Sequence, residues 1–425
     1  MSATASPRRN VLRIVPRFTR AAGQPGSASR AFRLRAWGRA ASLAAACLVL
    51  LACLAGPAPA AQQAPAPAPA QQKAPARADW DFTHVGLKGK LYPSLMHSIA
   101  AMHMDVQDKT NELGDRNGLF GITVRAPRAG ARAVVEISAS SPLVNGGKAD
   151  VTLPKRGQDY VVYPFLSFPE ALLQVRQPVP IVLTARLSVD GQPLGEKSQR
   201  VLVASVNDCV YGFEEDDDYY DTSWLFAAYV NENHPAVQQI LREALSVGEV
   251  SSFSGYQTDA RGVRKQAKAV WQALRKRGLR YSSINRPSAP DPELSVQHVR
   301  LLGDALDGRQ ANCVEGSCLL ASVFYKIGLE TSLVVFPDHM IVGVLLDPKG
   351  KQQLFLETTM LGDSTFEEAA KSGAEQVEEA QEKARKAKKK KSGKDDDDDD
   401  DEISFIDIGG VRQAGVLPIP EPGRR

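Results

Sequence analysis

One segment constrains the fold more than any other: a helix that begins at a cysteine and runs from Cys313 to about Ile327. Asn312 is a residue type that caps helix N-termini, and Gly328 is the type that ends them. The apolar residues between them recur at helical spacing, which predicts about four turns. Because the first N–H groups of a helix are unpaired and the macrodipole is positive there, position N1 favours a thiolate. A small buried cysteine that begins a core helix is the ordinary alternative.

Three strands follow this helix, and a histidine precedes the middle one. Their sequences are TSLVVF, MIVGVLL and QLFLETT, with a turn at 347–350 between the last two. A hairpin centred on this turn places His339 opposite or diagonal to Glu357. Cysteine catalysis needs such a pair, because the imidazole takes the thiol proton and the carboxylate fixes the ring tautomer. Each residue alone is ordinary, but their joint order after Cys313 predicts a thiol, a base and an acid in one site.

This order resembles the bacterial transglutaminase-like superfamily, a papain-like thiol class. Its motif is a cysteine opening a helix, a glycine about fifteen residues on, and His and Asp or Glu on successive strands. The resemblance is to an envelope subgroup and is carried by QANCVEGS from Gln310, PDHM from Pro337 and ETTM from Glu357. It covers about residues 207–361, with a closing strand near 405–419. Two departures are Met340, where an aromatic residue is usual, and glutamate in place of the usual aspartate.

The resemblance implies acyl transfer from an amide or peptide bond through a thioester on Cys313, with His339 as base. Glu357 is the expected third member, and Asp338 is the alternative. The oxyanion donor is expected to be an upstream glutamine or the backbone N–H of Cys313, with Gln310 as the named glutamine and Gln297 as the alternate. A peptidase, an amidase and a transamidase all fit, and a catalytically inactive envelope scaffold with the same fold is the rival hypothesis. No cofactor is implied.

The residues before this domain read differently. From about 119 to 204, short alternating runs are separated by turn sequences such as NGGK at 145–148, a pattern typical of an antiparallel β-sandwich. A helix is predicted around 94–107. The expected fold class is therefore α+β, with a helix and sandwich over 79–206 and a transglutaminase-like domain over 207–420. The sandwich carries no catalytic constellation, so a structural or docking role is predicted for it.

The N-terminal region has the features of an export signal. Nine arginines lie within the first forty residues, and the apolar stretch 40–55 is too short for a membrane span but suits a secretory h-region. The signal region is predicted over 1–60, followed by an Ala/Pro/Gln linker over 61–78. Cleavage after an A-x-A site at Ala60 and lipidation at Cys53 both fit. The chain is thus expected in the periplasm or cell envelope, touching a membrane only through that lipid.

Cysteine count and charge narrow the chemistry further. Of five cysteines, Cys209, Cys313 and Cys318 lie beyond the leader, and an odd number cannot all pair. Cys209 either pairs with Cys318, remains a buried thiol, or pairs with Cys313 and silences the enzyme. No cysteine or histidine spacing suits zinc, so no metal is predicted. The net charge of +3 owes much to the leader arginines, which leaves no argument for a nucleic-acid partner.

The tail has an unusual charge pattern. Residues 366–391 read as a charged helix ending in four lysines, and seven aspartates follow at 395–401. Long single-sign blocks repel themselves and remain solvated. Residues 366–402 are therefore predicted to be a low-complexity insertion, after which the chain is ordered again.

Overall fold

The computed structural model describes residues 80–102, 111–115, 118–215, 218–284, 286–288, 290–391 and 403–421. The predicted signal region, the linker, Cys53 and the aspartate run lie outside these residues. Within them, helices and strands are both abundant, which confirms a mixed α+β class. No described helix combines the length and apolarity that a membrane crossing requires.

The described residues before 207 form two sheets and one α-helix. The four-stranded sheet has the order β1-β4-β7-β3, and the six-stranded sheet has the order β2-β10-β9-β5-β6-β8. Alternate residues of the long strands are buried, as period-two patterning requires. The elements are β1 (Trp80–Val85), β2 (Lys90–Leu91), α1 (Pro93–Ala101), β3 (Glu112–Gly114), β4 (Phe120–Arg125), β5 (Ala131–Ala139), β6 (Asn145–Leu153), β7 (Asp159–Tyr163), β8 (Phe165–Ser167), β9 (Val179–Val189) and β10 (Gln192–Val203).

Three expectations for this region need correction. The segment 80–85, expected before the strands begin, is itself a strand paired with β4. The helix predicted to 107 ends at Ala101, with Met102 as its C-cap in an extended conformation. The segment 145–148, predicted as a turn, lies within β6, where Gly147 and Lys148 pair with β5 and Asn145 pairs with β8. The weak strand propensity of its two glycines is overridden because cross-strand pairing satisfies the backbone there.

From residue 208 onward, helices pack against smaller sheets. One 3₁₀ helix covers Ser223–Tyr229, and another 3₁₀ turn covers Thr358–Met360. The remaining elements are β11 (Asp208–Glu215), β12 (Asp218–Asp221), α2 (Pro235–Ser246), α3 (Ala260–Lys276), β13 (Arg280–Tyr281), β14 (Leu294–His298), α4 (Leu302–Gly308), β15 (Gln310–Ala311), α5 (Cys313–Lys326), β16 (Thr331–Val335), β17 (Met340–Leu345), β18 (Gln353–Leu356), α6 (Phe366–Lys391), β19 (Ser404–Asp407) and α7 (Ile408–Gln413).

The sheet that matters for the site has the order β18-β17-β16-β19, with every pair antiparallel. The helix predicted from Cys313 is confirmed as α5, and it packs across β16 and β17. Strand β17 is buried along almost its whole length because helices cover the sheet there. The start of α5 therefore lies beside the end of β17 at which His339 enters.

The tail differs from the prediction in two respects. The part of α6 up to Ala380 is not a solvated insertion, because Ala369, Val377 and Ala380 are buried and the helix packs on β18. The chain does return at β19, which pairs with β16 as an outer strand. The closing strand expected as far as Ile419 ends at Asp407, where α7 begins. The Asp407 carboxylate caps α7 by accepting from the N–H groups of two glycines, which favours a helix over a longer strand.

Candidate thiol site

The start of α5 is fixed by reciprocal hydrogen bonds around Asn312. Its side chain accepts from the N–H of Glu315, and the Glu315 carboxylate accepts from the N–H of Asn312, each at 2.9 Å. This is a capping box, which satisfies two donors of the first turn. Cys313 is the first helical residue and is partly exposed. The predicted N1 position of the cysteine is thus confirmed.

The capping glutamate also binds an arginine from the chain that precedes α4. The guanidinium of Arg300 donates to both Glu315 carboxylate oxygens at 2.9 and 2.7 Å, and the Arg300 N–H donates at 2.8 Å. The Glu315 side chain is fully buried. The helix end that carries Cys313 is therefore tied by this ion pair to the segment between β14 and α4.

Removal of this partner should destabilise the fold. Because Arg300→Ala leaves a buried carboxylate without its cation, we expect a loss of about 3 kcal/mol in the free energy of unfolding. Urea denaturation measures it. Arg186→Ala is the matched control, since the Arg186–Glu196 pair is exposed on both sides and should cost less than about 1 kcal/mol. Equal losses for the two variants would contradict the role given to the buried pair.

His339 and Glu357 meet as the hairpin pattern predicts. The β17–β18 register pairs Val342 with Leu356, which places His339 diagonal to Glu357. The Nε2 atom of His339 donates to Glu357 Oε2 at 2.7 Å. The other carboxylate oxygen accepts from the N–H of Thr359 at 2.8 Å and from its hydroxyl at 2.7 Å. The carboxylate is nearly buried, so its orientation is set by these donors.

The thiol completes this line of groups. With Nε2 committed to Glu357, Nδ1 is the ring nitrogen that remains for the hydrogen bond between His339 and Cys313. Burial alone would lower the pKa of His339, but its hydrogen bonds to Cys313 and Glu357 raise it to about 10. Burial likewise opposes ionisation of Glu357, yet donation by His339, Thr359 and Gln376 lowers its pKa to about 2. The arrangement therefore favours an imidazolium beside a carboxylate.

These shifts predict a specific dependence of stability on pH. His339 contributes stability that is complete below its ordinary pKa of 6.5 and is lost as pH rises toward 10. Glu357 contributes stability that is complete above 4.5 and is lost as pH falls toward 2. The difference in unfolding free energy between wild type and His339→Gln should therefore be largest between pH 4.5 and 6.5.

Urea titrations across pH measure this difference, and His97 provides the contrast. Burial lowers the pKa of His97, whose Nε2 donates to the Pro418 carbonyl at 3.2 Å. The difference between wild type and His97→Gln should therefore shrink as pH falls below 6.5, which is the opposite trend. A His339→Gln difference that stays constant from pH 5 to pH 9 would contradict the assigned ion pair.

The first turn of α5 is held directly against the segment that follows Glu357. The hydroxyls of Ser317 and Thr358 both donate to the carbonyl of Cys313, at 2.7 and 3.1 Å. Gly316 permits this contact, because a Cβ there would lie 3.2 Å from the Cβ of Thr358. The thiol and the carboxylate segment are thus joined through the backbone as well as through His339.

Two aromatic residues border the three groups. The ring of Phe336 stacks beside the imidazole of His339, with centroids 6.1 Å apart. The phenol of Tyr281 is 43% exposed. Its pKa is raised by burial and by the charges of Cys313 and Glu357, which lie close enough to the phenol to act on it.

The other predicted site residues lie around this centre. Gln310 is exposed on β15, three residues before Cys313, and its strand pairs with β13. Gln297 is half-buried on β14, and its amide donates to the His298 carbonyl, which also accepts from the Asn312 side chain. Both glutamines are thus near the start of α5. Asp338 is exposed, whereas Glu357 makes the hydrogen bond to His339.

The remaining cysteines do not form the bridges considered for them. Cys209, Cys313 and Cys318 are all free thiols. Burial raises the pKa of Cys209 and of Cys318 well above the ordinary value. The Cys318 thiol further raises the pKa of Cys209, and Glu315 and Cys313 further raise that of Cys318. Among the described residues, no group of histidine, cysteine, aspartate or glutamate side chains is arranged to hold a metal ion.

Sequence reasoning missed Tyr281 and Gln376, and it gave no role to Ser317 and Thr359 although both stand in the quoted motifs. Thr359 lies two residues after Glu357, and its hydroxyl was a usable signal. Gln376 lies in a helix read only as charged. No protein-family model and no curated protein sequence matches this chain.

Proposed function

We propose that this chain is a transglutaminase-like thiol enzyme that breaks amide bonds by acyl transfer to Cys313. The supporting observation is the hydrogen-bonded series from Cys313 through His339 to Glu357 at the start of a capped helix. In the same proposal, the hairpin sheet and α5 form a papain-like core. The strands before residue 207 form a β-sandwich that docks a partner.

The chemistry follows from the roles of the three groups. The sulfur of Cys313 attacks the amide carbonyl carbon, forming a C–S bond and an oxyanion. Collapse of this intermediate breaks the C–N bond, and the imidazolium of His339 gives its proton to the leaving amine. Water or a second amine then attacks the thioester, gives a proton to His339 and releases the thiol. Glu357 holds the ring so that Nδ1 faces the sulfur throughout.

The proposed substrate is a protein or peptide of the cell envelope, in keeping with the export signal predicted from the leader. Cys313 is partly exposed and nearby Tyr281 is 43% exposed, which suits a chain segment lying across the thiol. With water as acceptor the enzyme is a peptidase or amidase, and with an amine it is a transamidase. No cofactor enters this mechanism.

Oxyanion stabilisation should depend on one of the two glutamines. Loss of one oxyanion donor typically lowers the rate about 10²- to 10³-fold. We expect that loss of rate for Gln310→Ala, because the family resemblance implies the donor role for Gln310. For Gln297→Ala we expect the rate to fall by less than about threefold. Steady-state kinetics of the two variants measures it. The reverse ranking would transfer the role to Gln297, whose amide lies beside Asn312.

The function can be tested with p-nitrophenyl acetate as acyl donor. We expect a burst of p-nitrophenol and an added acetyl mass that peptide mapping assigns to Cys313. Adding a primary amine separates the acceptors, because a transamidase yields the acetylated amine whereas a hydrolase yields acetate. If Cys313 remains unacetylated while a small thiol in the same solution is acetylated, the enzyme hypothesis fails and the scaffold hypothesis replaces it.

A further inference from the structure

Helix α6 lies unusually close to the strand that leads into Glu357. A Cβ on Gly373 would lie 2.7 Å from the Phe355 carbonyl carbon and oxygen, so a larger residue would push the helix from β18. Val377, on the same face, is buried against Val334 and Ile341. This packing brings Gln376, one turn beyond Gly373, level with the end of β18.

The contacts of Gln376 are directed at Glu357. Its amide nitrogen donates to Glu357 Oε2 at 2.6 Å and to the Ser372 hydroxyl at 3.2 Å, so both amide hydrogens are used. The Glu357 N–H donates to the Ala369 carbonyl at 3.1 Å. Helix α6 therefore holds both the backbone and the carboxylate of Glu357. The same oxygen, Oε2, accepts from His339.

We propose that Gln376 is a positioning residue of the thiol site, which fixes the Glu357 carboxylate so that its Oε2 atom orients His339 toward Cys313. This inference rests on the proposed function. A hydrogen bond to a carboxylate favours its charged form, and Gln376 is among the donors that lower the pKa of Glu357. The charged segment that looks like an insertion in the sequence thus supplies a component of the site.

Two substitutions distinguish this role from simple helix packing. Gln376→Ala removes the donor. Gln376→Glu keeps the size and restores a donor only while the new carboxyl is protonated, because two adjacent carboxylates cannot both ionise without repulsion. Gln381→Ala is the matched control, since Gln381 is a half-buried glutamine on the same helix, more than a turn beyond Gln376.

The experiment measures alkylation of Cys313 by iodoacetamide from pH 5 to pH 9 in the full chain, with peptide mapping and urea stability for each variant. We expect Gln376→Ala to react about tenfold more slowly than wild type, as befits a lost hydrogen bond to a charged group. As pH is lowered, the alkylation rate of Gln376→Ala should also begin to fall at a higher pH than the rate of wild type. The alkylation rate of Gln376→Glu should approach that of wild type at pH 5, and its ratio to the wild-type rate should decline as pH rises. Gln381→Ala should match wild type.

The outcomes separate this inference from the proposed function. If wild-type Cys313 reacts no faster than Cys313 in His339→Ala, the thiol is not activated and the function itself fails. If wild type is activated but Gln376→Ala matches Gln381→Ala at every pH, the function stands and the positioning role is overturned. Parallel pH profiles for Gln376→Glu and Gln376→Ala would also overturn it, since packing alone does not titrate.

Discussion

Replacing Cys313 with alanine should abolish acyl transfer, with no thioester formed from any acyl donor. The sulfur is the atom that bonds to the substrate. In enzymes where a nucleophile that works with a general base has been removed, kcat falls by about 10⁶-fold. Burst kinetics with p-nitrophenyl acetate and intact mass measure the loss. The variant should remain folded, because Cys313 is partly exposed and its helix is capped by other residues.

Cys318 provides the matched control for this prediction. It lies on the same helix but is buried, with its sulfur 3.6 Å from the Phe226 carbonyl. Cys318→Ala should retain acylation within about threefold and should lose about 1 kcal/mol of stability through the small cavity. If Cys318→Ala loses acylation while Cys313→Ala retains it, the wrong cysteine has been assigned.

Replacing Glu357 with glutamine should lower kcat/KM by about 10³- to 10⁴-fold, since an amide in this position can stabilise the wrong imidazole tautomer. Burial makes the effect large, because the Glu357 carboxylate is nearly sealed from water and compensation by solvent is weak. The rate of Cys313 acylation across pH is the measurement.

Asp338→Asn is the comparison that resolves the alternative left by the sequence. Asp338 is exposed and adjacent to His339 in the chain, whereas Glu357 makes the 2.7 Å hydrogen bond. Asp338→Asn should change kcat/KM by less than about threefold, as expected for an exposed charge near a site. A loss in Asp338→Asn larger than that in Glu357→Gln would return the third role to Asp338.

The local parts of this site could be predicted from sequence because short-range rules determine them. The capping residue, the apolar spacing and the terminal glycine define α5, and the turn at 347–350 sets the register that brings His339 near Glu357. Both features depend on residues within about twenty positions of each other.

Features that depend on tertiary packing were missed or mistaken. The strand at 145–148 exists because β5 and β8 offer it partners, and the chain from 408 becomes helical because Asp407 caps it. Gln376 belongs to the site only because Gly373 allows α6 to lie against β18. No periodicity in the sequence indicates that α6 lies so close to β18. The charged segment therefore appeared to have no part in the thiol site.

The central claim is that Cys313 and His339 form a reactive pair, and the alkylation rate of Cys313 at pH 6.5 tests it most directly. Iodoacetamide with peptide mapping distinguishes this thiol from the buried Cys209 and Cys318. We predict that Cys313 in wild type reacts at least about tenfold faster than in His339→Ala, because the imidazole supports the thiolate. Equal rates in the two proteins would contradict the account.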